Sequence, residues 1–579
     1  MSGLCSTYGP EAGRGRPSRR DVQAILRRIG MTEKSDVRKS LLARPRIGSV
    51  TLSAIVGLYL VLFTNFTFWK KVHAYLGFEP GAVVALYIAI AMLFIGAITL
   101  FSAKYVIKPV LIFLIIAAAM AAWFTDSFGV ILDSDMIRNA MQTTPAEAQH
   151  LITPGLLLHA LLYGVIPIAL VLWVRVVHRP ILQKLLWNSL TVIACLAVFA
   201  VAALTYSKTY TAAIRQHRDM LKSLNPIVPI VSTAKYFVQT GEEARLVVAP
   251  LGLDAKVATP AGTTTKPRVT IIVAGETARA MNFSLGGYHR DTNPELEKQD
   301  IVYFPNATSC GTATATSIPC MFSQFTRDNF DHAKGLANEG LMDVLAHAGI
   351  DTAWFDNNTG SKGVADRITY IDLAKSTDAR YCSGGECQDG IFLDKFDEWL
   401  ANVKKDSVLV LHQIGSHGPA YYLRYPAAFR KFTPECQTAE LGNCKDADIL
   451  NAYDNTILYT DHFLSDIINR LKARSDKIAA GMIYMSDHGE SLGENGLYLH
   501  GTPYIFAPEE QTHVPFLVWL DPDFRKSMGV DMACVARQRA RPTSHDNLFH
   551  SVLGMMNVTT SAYDAKLDVF AGCMPRKGV

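Results

Sequence analysis

Five long apolar stretches before residue 206 limit what this 579-residue chain can fold into. Each is close to the roughly 20 residues that a helix needs to cross a bilayer. One such stretch alone is compatible with a buried core helix, but five in succession, followed by none, predict a transmembrane domain with five spans. The predicted spans are Val50–Phe68, Ala82–Ser102, Val106–Thr125, Gly155–Val174 and Leu185–Thr205.

The distribution of Lys and Arg predicts how the spans are oriented. Residues 1–47 carry far more basic than acidic side chains, and the predicted connections near Lys104–Lys108 and Arg175–Lys184 are also basic. By the positive-inside rule the N-terminus is cytoplasmic and everything after the fifth span is periplasmic. Lys70 and Lys71, in an outward connection, run against this rule. A basic tail also suits nucleic-acid binding, but beside five spans we favour a topogenic role and expect no nucleic-acid partner.

Beyond the spans, strand-like and helical patterns alternate, which predicts a mostly parallel sheet with helices on both faces. We therefore divide the chain into a disordered cytoplasmic tail (1–47), a five-helix transmembrane domain (48–205), a linker with a membrane-surface helix (206–266) and a periplasmic catalytic domain (267–579).

Eight of the ten cysteines follow residue 300, and an even set of closely spaced cysteines is typical of an oxidising compartment. Cys534 and Cys573 form a less certain fourth pair. A structural zinc site built from the four central cysteines is the alternative, although their spacing suits it poorly. The three pairs predicted by proximity are Cys310 with Cys320, Cys382 with Cys387, and Cys436 with Cys444.

Three apolar runs lead directly into polar side chains of the metal-ligand type. TIIVAGET contains Glu276, VLVLHQIGSHG contains His417, and GMIYMSDHGE contains Asp487 and His488. Ligands of open α/β sheets bind beyond the carboxyl ends of the strands, so these distant side chains are expected to converge there. Carboxylate oxygens and imidazole nitrogens are good donors to Zn²⁺.

The stretch SCGTATATSIPC, residues Ser309–Cys320, supplies hydroxyl groups between two cysteines. Small residues allow the backbone to approach a phosphate, and a helix that begins here would direct its N–H groups at the anion. A threonine hydroxyl needs a base or a metal to become a nucleophile. The stretch therefore predicts phosphoryl transfer, with a Ser/Thr-rich surface loop as the alternative.

Taken together, the motifs AGET, SCGTATATSIPC, DNN-x₃-KG, HQIGSHGPAYYLRYP and SDHGESLGENGLYLHG resemble those of the membrane-anchored phosphoethanolamine transferases. These lipid A-modifying enzymes include the mobile colistin resistance proteins. The resemblance extends from about residue 45 to the C-terminus, five-span part included. It implies a catalytic domain like that of the alkaline phosphatases and sulfatases.

The resemblance also implies roles for individual residues. One or two Zn²⁺ ions are expected. Thr314 would be the nucleophile, with Thr312 and Thr316 as neighbouring alternatives, and His417 would assist the leaving group. The implied zinc ligands are Glu276, Thr314, Asp487 and His488. The implied phosphate-binding or second-metal residues are Lys362, His417 and His500. The implied ethanolamine-phosphate ligands, expected on one face of a single helix, are Asn139, Thr143 and Glu147.

The expected reaction moves phosphoethanolamine from phosphatidylethanolamine to a lipid A phosphate through a covalent threonine intermediate. A monomer in a bacterial inner membrane would release diacylglycerol and lower susceptibility to polymyxins. Four alternatives remain open from sequence: transfer to another envelope glycan, phosphoglycerol transfer, sulfatase-like hydrolysis, and a membrane sensor with an inactive domain.

Overall fold

The structure is a computed structural model that describes residues 44–258 and 265–574. Most of the predicted tail 1–47 therefore lies outside the described residues, as does part of the loop that ends the predicted linker.

Eleven helices precede the catalytic domain in the described part of the chain. Four of them, α3, α4, α7 and α8, are long and apolar enough to cross a membrane. The helices are α1 Ser49–Phe63, α2 Phe66–Leu76, α3 Pro80–Leu100, α4 Ile107–Phe128, α5 Ser134–Gln142, α6 Pro145–Leu151, α7 Pro154–Trp173, α8 Ile181–Thr205, α9 Ser207–Gln216, α10 Arg218–Lys222 and α11 Ile227–Glu243.

The first predicted span, Val50–Phe68, is not one continuous helix. Helices α1 and α2 meet at a bend of 65°, and only as a pair do they amount to a fifth span. Polar side chains at the junction explain the break, because Thr64 Oγ1 and Asn65 Nδ2 donate to the carbonyl oxygen of Leu60 at 2.7 and 2.8 Å. Both bonds go to this one carbonyl group in the last turn of α1, where the chain changes direction.

The predicted linker is helical, but it contains three helices, α9 to α11, rather than one. Tyr210 of α9 donates its hydroxyl to the Ala82 carbonyl oxygen at 2.7 Å. The backbone N–H of Asn225 donates to Asn65 Oδ1 at 2.8 Å. The linker is thus bonded to the membrane part at several points, one of them the junction of α1 and α2.

The catalytic domain is built on an eight-stranded sheet in the order β8-β2-β7-β6-β1-β5-β3-β4. Within this sheet only β7 runs against the other strands, so the predicted mixed, mostly parallel sheet is confirmed. The strands are β1 Arg268–Gly275, β2 Ile301–Thr308, β3 Asp351–Asp356, β4 Thr369–Asp372, β5 Ser407–His412, β6 Ala479–Ser486, β7 His513–Leu520 and β8 Thr543–Ser544.

Helices cover both faces of the sheet, as predicted. Alternate residues of β1 enter different cores: Val269 and Ile271 pack with α15 and α16, whereas Ile272 and Ala274 pack with α14 and α20. A central strand buried on both faces reads as a continuous apolar run. The helices of this domain are α12 Thr314–Met321, α13 His332–Leu336, α14 Leu341–His347, α15 Phe392–Ala401, α16 Asp446–Lys472, α17 Glu509–Thr512, α18 Pro522–Met528, α19 Met532–Gln538 and α20 Asp546–Met555.

Four disulfide bonds brace the loops of this domain. One of them closes a short hairpin formed by Cys382–Ser383 and Glu386–Cys387. The uncertain fourth pair, Cys534 and Cys573, is bonded in the structure. The bonds are Cys310–Cys320, Cys382–Cys387, Cys436–Cys444 and Cys534–Cys573.

The buried ion pair at the start of β1 yields a stability prediction. Arg268 is only 2% exposed, and its backbone N and Nε donate to Asp406 at 2.8 and 3.0 Å. Asp406→Ala would leave a buried guanidinium without its carboxylate, which typically destabilises a fold by about 3–5 kcal/mol. We expect a large fall in melting temperature, measured by circular dichroism on the detergent-solubilised protein.

Asp394→Ala is the matched control, because Asp394 pairs with Arg380 at the surface. Exposed pairs contribute about 0–1 kcal/mol, so its melting temperature should hardly change. Equal shifts for the two variants would contradict the assignment of Arg268–Asp406 as a stabilising buried pair.

Candidate active site

The site begins at the carboxyl ends of two neighbouring strands. Strands β1 and β6 pair in parallel, with Gly275 opposite Ser486, so Glu276 and Asp487 leave the sheet side by side. His488 follows Asp487, and all three side chains are buried. One ligand atom from each lies within 4.8 Å of the others. The sheet therefore brings these three predicted metal ligands together although they are far apart in sequence.

Thr314 is the first residue of α12 and reaches this cluster from a different segment. Its Oγ1 donates to Glu276 Oε2 at 3.0 Å and lies 3.4 Å from His488 Nε2. The neighbouring candidate Thr312 instead donates its hydroxyl to the Thr502 carbonyl oxygen at 2.6 Å. Thr314 thus has the geometry expected of a nucleophile, and Thr312 does not.

His545 links the loop that carries Thr314 to strand β6. Its Nδ1 accepts from the backbone N–H of Cys310 at 3.0 Å, and its Nε2 donates to the Ser486 carbonyl oxygen at 2.9 Å. Burial lowers the pKa of His545 to about 4, so the ring is neutral and bridges one donor and one acceptor. It fixes the loop that carries Thr314 relative to Asp487.

The three predicted ligand side chains fit a bound cation of the zinc type. His488 Nδ1 faces the Gly489 carbonyl oxygen at 2.8 Å and carries the proton, which leaves the Nε2 lone pair directed at the cluster. Nε2 lies 3.3 Å from Glu276 Oε1 and 3.4 Å from Asp487 Oδ2. Asp487 Oδ2 is buried without a hydrogen-bond partner among the described residues. Two oxygens and one nitrogen thus face a common point.

Electrostatics lead to the same conclusion. Burial, together with the charge of Glu276, raises the pKa of Asp487 far above its ordinary value. Burial also opposes ionisation of Glu276, but the nearby imidazoles of His488, His417 and His500 outweigh it and lower the pKa of this carboxyl. Two adjacent buried carboxylates repel each other unless a cation lies between them.

Several donors hold the two carboxylates in place. Asn358, which follows β3, donates its Nδ2 to Glu276 Oε2 at 2.8 Å and to the Gln413 carbonyl oxygen at 2.7 Å. Backbone N–H groups of Thr277 and His488 donate to Asp487 Oδ1 at 3.2 and 2.7 Å. Asn358 lies in the DNN motif but was not among the predicted site residues. Its position just after an apolar strand run was the available signal.

A second group of side chains lies beside the first. The His500 ring is centred 4.4 Å from that of His488 and 5.4 Å from that of His417. His500 Nδ1 contacts Glu490 Oε2 at 2.8 Å, and Tyr421 donates its hydroxyl to Glu490 Oε1 at 2.5 Å. Burial raises the pKa of Glu490 to about 8. His417 Nδ1 is buried without a partner in the described part of the chain, which leaves it available to a ligand.

Glu147 brings the membrane-domain side of the molecule into this site. Its Oε1 lies 3.4 Å from His417 Nε2. Lys362 donates its Nζ to the Thr359 carbonyl oxygen at 2.8 Å. Burial lowers the pKa of Lys362, and the carboxylates of Asp356, Glu276 and Glu147 act against that shift. Lys362 therefore lies close enough to interact with the charge of Glu276, among the predicted metal ligands, and with that of Glu147, beside His417.

The expectation that Asn139, Thr143 and Glu147 share one helical face is wrong. Helix α5 ends at Gln142, Thr143 is extended with φ −60° and ψ 133°, and Glu147 belongs to α6. A proline disfavours helical geometry in the residue before it, so Pro145 interrupts the helix. Thr144 then caps α6 by accepting from the Glu147 N–H at 3.2 Å. Thr143 Oγ1 still donates to the Asn139 carbonyl oxygen at 3.1 Å, but of the three only Glu147 contacts His417.

A cavity of about 580 Å³ separates α6 from the catalytic domain. Residues 144–147 line one side and residues 357–360 line the other, with Ile414 and Glu386 at its edge. Its volume is within the range of ligand sites, roughly 300–1,000 Å³. A substrate in this cavity would contact Glu147 and Asn358 together.

His417 is also positioned through its backbone. Arg424 donates its Nε to the His417 carbonyl oxygen at 2.7 Å and its Nη1 to Glu386 at 2.8 Å. Glu386 belongs to the disulfide-closed hairpin and also contacts His150 of α6 at 2.8 Å. The loop that carries His417 is therefore tied to α6 through both Glu147 and Glu386.

Comparison with known proteins identifies the family. A model described as Sulfatase matches residues 268–558, and one described as Phosphoethanolamine transferase EptA/EptB matches residues 90–240. Phosphoethanolamine transferase EptA of Salmonella typhimurium is 39% identical over 544 residues, covering 92% of this chain and 99% of that protein. The chain belongs to the phosphoethanolamine transferase family.

Two other members of the family are similarly related. Phosphatidylethanolamine transferase Mcr-1 of Escherichia coli is 39% identical over 83% of this chain and 91% of its own length. The solved structure of the integral membrane lipooligosaccharide phosphoethanolamine transferase A from Neisseria meningitidis superposes with a TM-score of 0.88 at 35% identity, covering 92% of this chain and 100% of that one. The family resemblance and the two-part fold expected from the sequence are thereby confirmed.

The contacts of Asn358 yield a prediction about metal affinity. Asn358→Ala removes the donor to Glu276 Oε2 and frees that carboxylate to rotate. Loss of such a supporting partner typically weakens metal affinity or activity by about 10–100-fold. Zinc affinity of the purified protein, measured by competition with a chelating indicator, should fall within that range. Asn329→Ala should leave zinc affinity unchanged, because within the described residues the Asn329 side chain bonds only to Thr326, at the surface. Equal affinities for the wild type and both variants would refute the role of Asn358.

Proposed function

We propose that this protein transfers phosphoethanolamine from phosphatidylethanolamine to a phosphate of lipid A through a covalent intermediate on Thr314. The observation that carries the proposal is the position of the Thr314 hydroxyl, between a carboxylate oxygen of Glu276 and the Nε2 of His488 at the start of α12. Membership of the phosphoethanolamine transferase family supports the transferred group. The names of relatives that act on lipid A or lipooligosaccharide support the acceptor.

The buried site that would hold zinc consists of Glu276, Asp487 and His488, together with the oxygen of Thr314. A zinc ion bound there supplies positive charge that lowers the pKa of a hydroxyl group and stabilises negative charge developing on phosphate oxygens. The second group of side chains, His417, His500 and Lys362, would bind the phosphate or a second ion.

In the first step, Thr314 Oγ attacks the phosphorus of the donor lipid. The hydroxyl proton passes to Glu276 Oε2, which already accepts it in a hydrogen bond. The bond between phosphorus and the glycerol oxygen breaks, and His417 delivers a proton to that oxygen so that diacylglycerol leaves. The N–H groups at the start of α12 stabilise the phosphate oxygens.

In the second step, a phosphate oxygen of the acceptor attacks the phosphorus held on Thr314. The new P–O–P linkage forms as the bond to Thr314 Oγ breaks, and the proton on Glu276 returns to the hydroxyl. The attacking hydrogen phosphate gives up its proton to His417, which replaces the proton that His417 lost to diacylglycerol. The product carries an amine over a formerly anionic phosphate. Fewer negative charges on the outer membrane weaken the binding of cationic polymyxins, since that binding depends on electrostatic attraction.

The proposal includes the orientation of the chain. A cytoplasmic N-terminus and a periplasmic catalytic domain in the inner membrane follow from the basic residues beside the spans, and four disulfide bonds support an oxidising compartment for that domain. We expect the protein to work as a monomer, because both groups of site residues belong to one chain.

Mass spectrometry of lipid A from a susceptible Gram-negative host expressing this chain tests the function. The wild type should add a mass equal to phosphoethanolamine, and Thr314→Ala should abolish the addition because no hydroxyl remains to carry the group. Thr316→Ala is the control, because Thr316 is the other candidate threonine on α12. This variant should retain the addition.

Labelled donor lipids distinguish the alternatives in the same experiment. If diacylglycerol is released but lipid A is not modified, the acceptor is another envelope molecule, or the enzyme hydrolyses the donor. A product that carries phosphoglycerol would show that the donor is a phosphoglycerol lipid and not phosphatidylethanolamine. Full activity of Thr314→Ala would eliminate Thr314 as the nucleophile.

A further inference from the structure

Lys70 and Lys71 are the basic residues that contradict the positive-inside rule, and the reaction proposed above does not use them. Both lie on α2 and line a cavity of about 540 Å³ between the membrane helices and the catalytic domain. The turn after α4 and residues 495–497 of the catalytic domain complete its walls. The cavity is therefore walled by both parts of the protein at the end of the membrane helices.

The fold fixes the direction in which the lysines face. Phe68, Trp69 and Val72 of α2 are buried against the membrane helices. Trp69 donates its Nε1 to the Val61 carbonyl oxygen at 2.7 Å and stacks on Tyr87 at 3.5 Å between ring centroids. Because one face of α2 is anchored in this way, the opposite face presents Lys70 and Lys71 to the cavity.

The domains also approach closely at this point. Gly129 ends α4 with φ +73°, and a Cβ there would lie 2.7 Å from the Gly496 carbonyl oxygen. A Cβ at Gly496 would in turn lie 4.0 Å from Lys70 Nζ. The Lys70 ammonium is thus held beside the backbone of the catalytic domain.

The acidic groups around the cavity are already engaged. Lys71 Nζ pairs with Asp219 at 2.9 Å. Asp126 accepts from the N–H and the hydroxyl of Thr67 at 3.0 and 2.6 Å. Lys70 has neither an ion pair nor a hydrogen bond within the described residues, so its charge is available to a ligand.

Further features suit the headgroup of a lipid rather than a soluble anion. Phe66, at the edge of the cavity, is 68% exposed and provides an apolar surface where acyl chains would lie. Lys222 stacks its ammonium on Phe506, another residue of the cavity wall, at 5.1 Å from the ring centroid. Aromatic and basic side chains at the end of membrane helices are typical of the headgroup level of a bilayer.

We propose that this cavity binds the phosphate of an anionic lipid headgroup, with Lys70 as its principal charged ligand. The acyl chains remain in the bilayer beside Phe66, and the cavity admits the phosphate and the adjoining glycerol or sugar. The same chemistry is offered by phosphatidylglycerol and by a phosphorylated glycolipid. The inference does not depend on the reaction proposed for Thr314.

The cavity adjoins the catalytic machinery. Thr502 lines it, and the Thr502 carbonyl oxygen accepts from the hydroxyl of Thr312 at 2.6 Å, two residues before Thr314. The same short loop carries His500, whose ring contacts that of His488. A lipid phosphate in the cavity would therefore lie beside the loop 500–502, which contacts both the segment of Thr314 and the ring of His488.

Native mass spectrometry of the full-length protein in detergent tests the proposal by direct binding. Titrations use phosphatidylglycerol, bis-phosphorylated lipid A and, as the neutral lipid, phosphatidylcholine. Lys70→Gln should weaken binding of the anionic lipids about tenfold, because one charge-assisted contact is lost, and leave phosphatidylcholine unaffected. Lys70→Arg should retain the affinity.

Lys208→Gln is the matched control, since Lys208 is an exposed lysine of α9 outside the cavity. Weakening confined to lipid A would assign the site to the glycolipid, and weakening confined to phosphatidylglycerol would assign it to the phospholipid. Equal affinities for the wild type, Lys70→Gln and Lys208→Gln would overturn the proposal, and so would equal losses in both variants. Circular dichroism melting of each variant excludes misfolding as the cause.

Discussion

Two buried carboxylates, Glu276 and Asp487, lie side by side because the strands that precede them pair in parallel. Burial and mutual repulsion make this arrangement unfavourable without positive charge between them. The surrounding structure supplies what keeps it in place: Asn358 and backbone N–H groups orient the oxygens, and His488 completes the ring of donors. Thr314, the first residue of α12, places its hydroxyl beside the same carboxylates. The chemistry of the site follows from this enforced proximity of like charges.

The central strands and the residues that follow them were predictable because β1, β5 and β6 are buried on both faces and read as unbroken apolar runs. Strands β2 and β4 carry no comparable signal in the sequence. Strand β2 contains Pro305 and is buried only in part, and β4 is a four-residue edge strand with partly exposed side chains. Such segments become strands through pairing with neighbours that lie far away in sequence, which local patterns do not reveal.

The other predictions that the structure corrects or extends have equally specific causes. A spacing of four residues suggested one helix from Asn139 to Glu147, but the conformational effect of Pro145 outweighs that periodicity. The bend between α1 and α2 depends on two side-chain bonds to a carbonyl group that no hydropathy pattern encodes. Asn358 acts through Glu276, so its role becomes visible only when both side chains are placed. Predictions based on single motifs therefore identified donors better than the residues that orient them.

The contact between Glu147 and His417 joins a loop between membrane helices to the catalytic domain. A catalytic domain cut from its anchor would keep every predicted metal ligand and Thr314, yet one wall of the 580 Å³ cavity would be missing. Completion of the pocket is thereby tied to attachment at the bilayer, where lipid donors and acceptors are found. The membrane part thus supplies one wall of this cavity in addition to anchoring the chain.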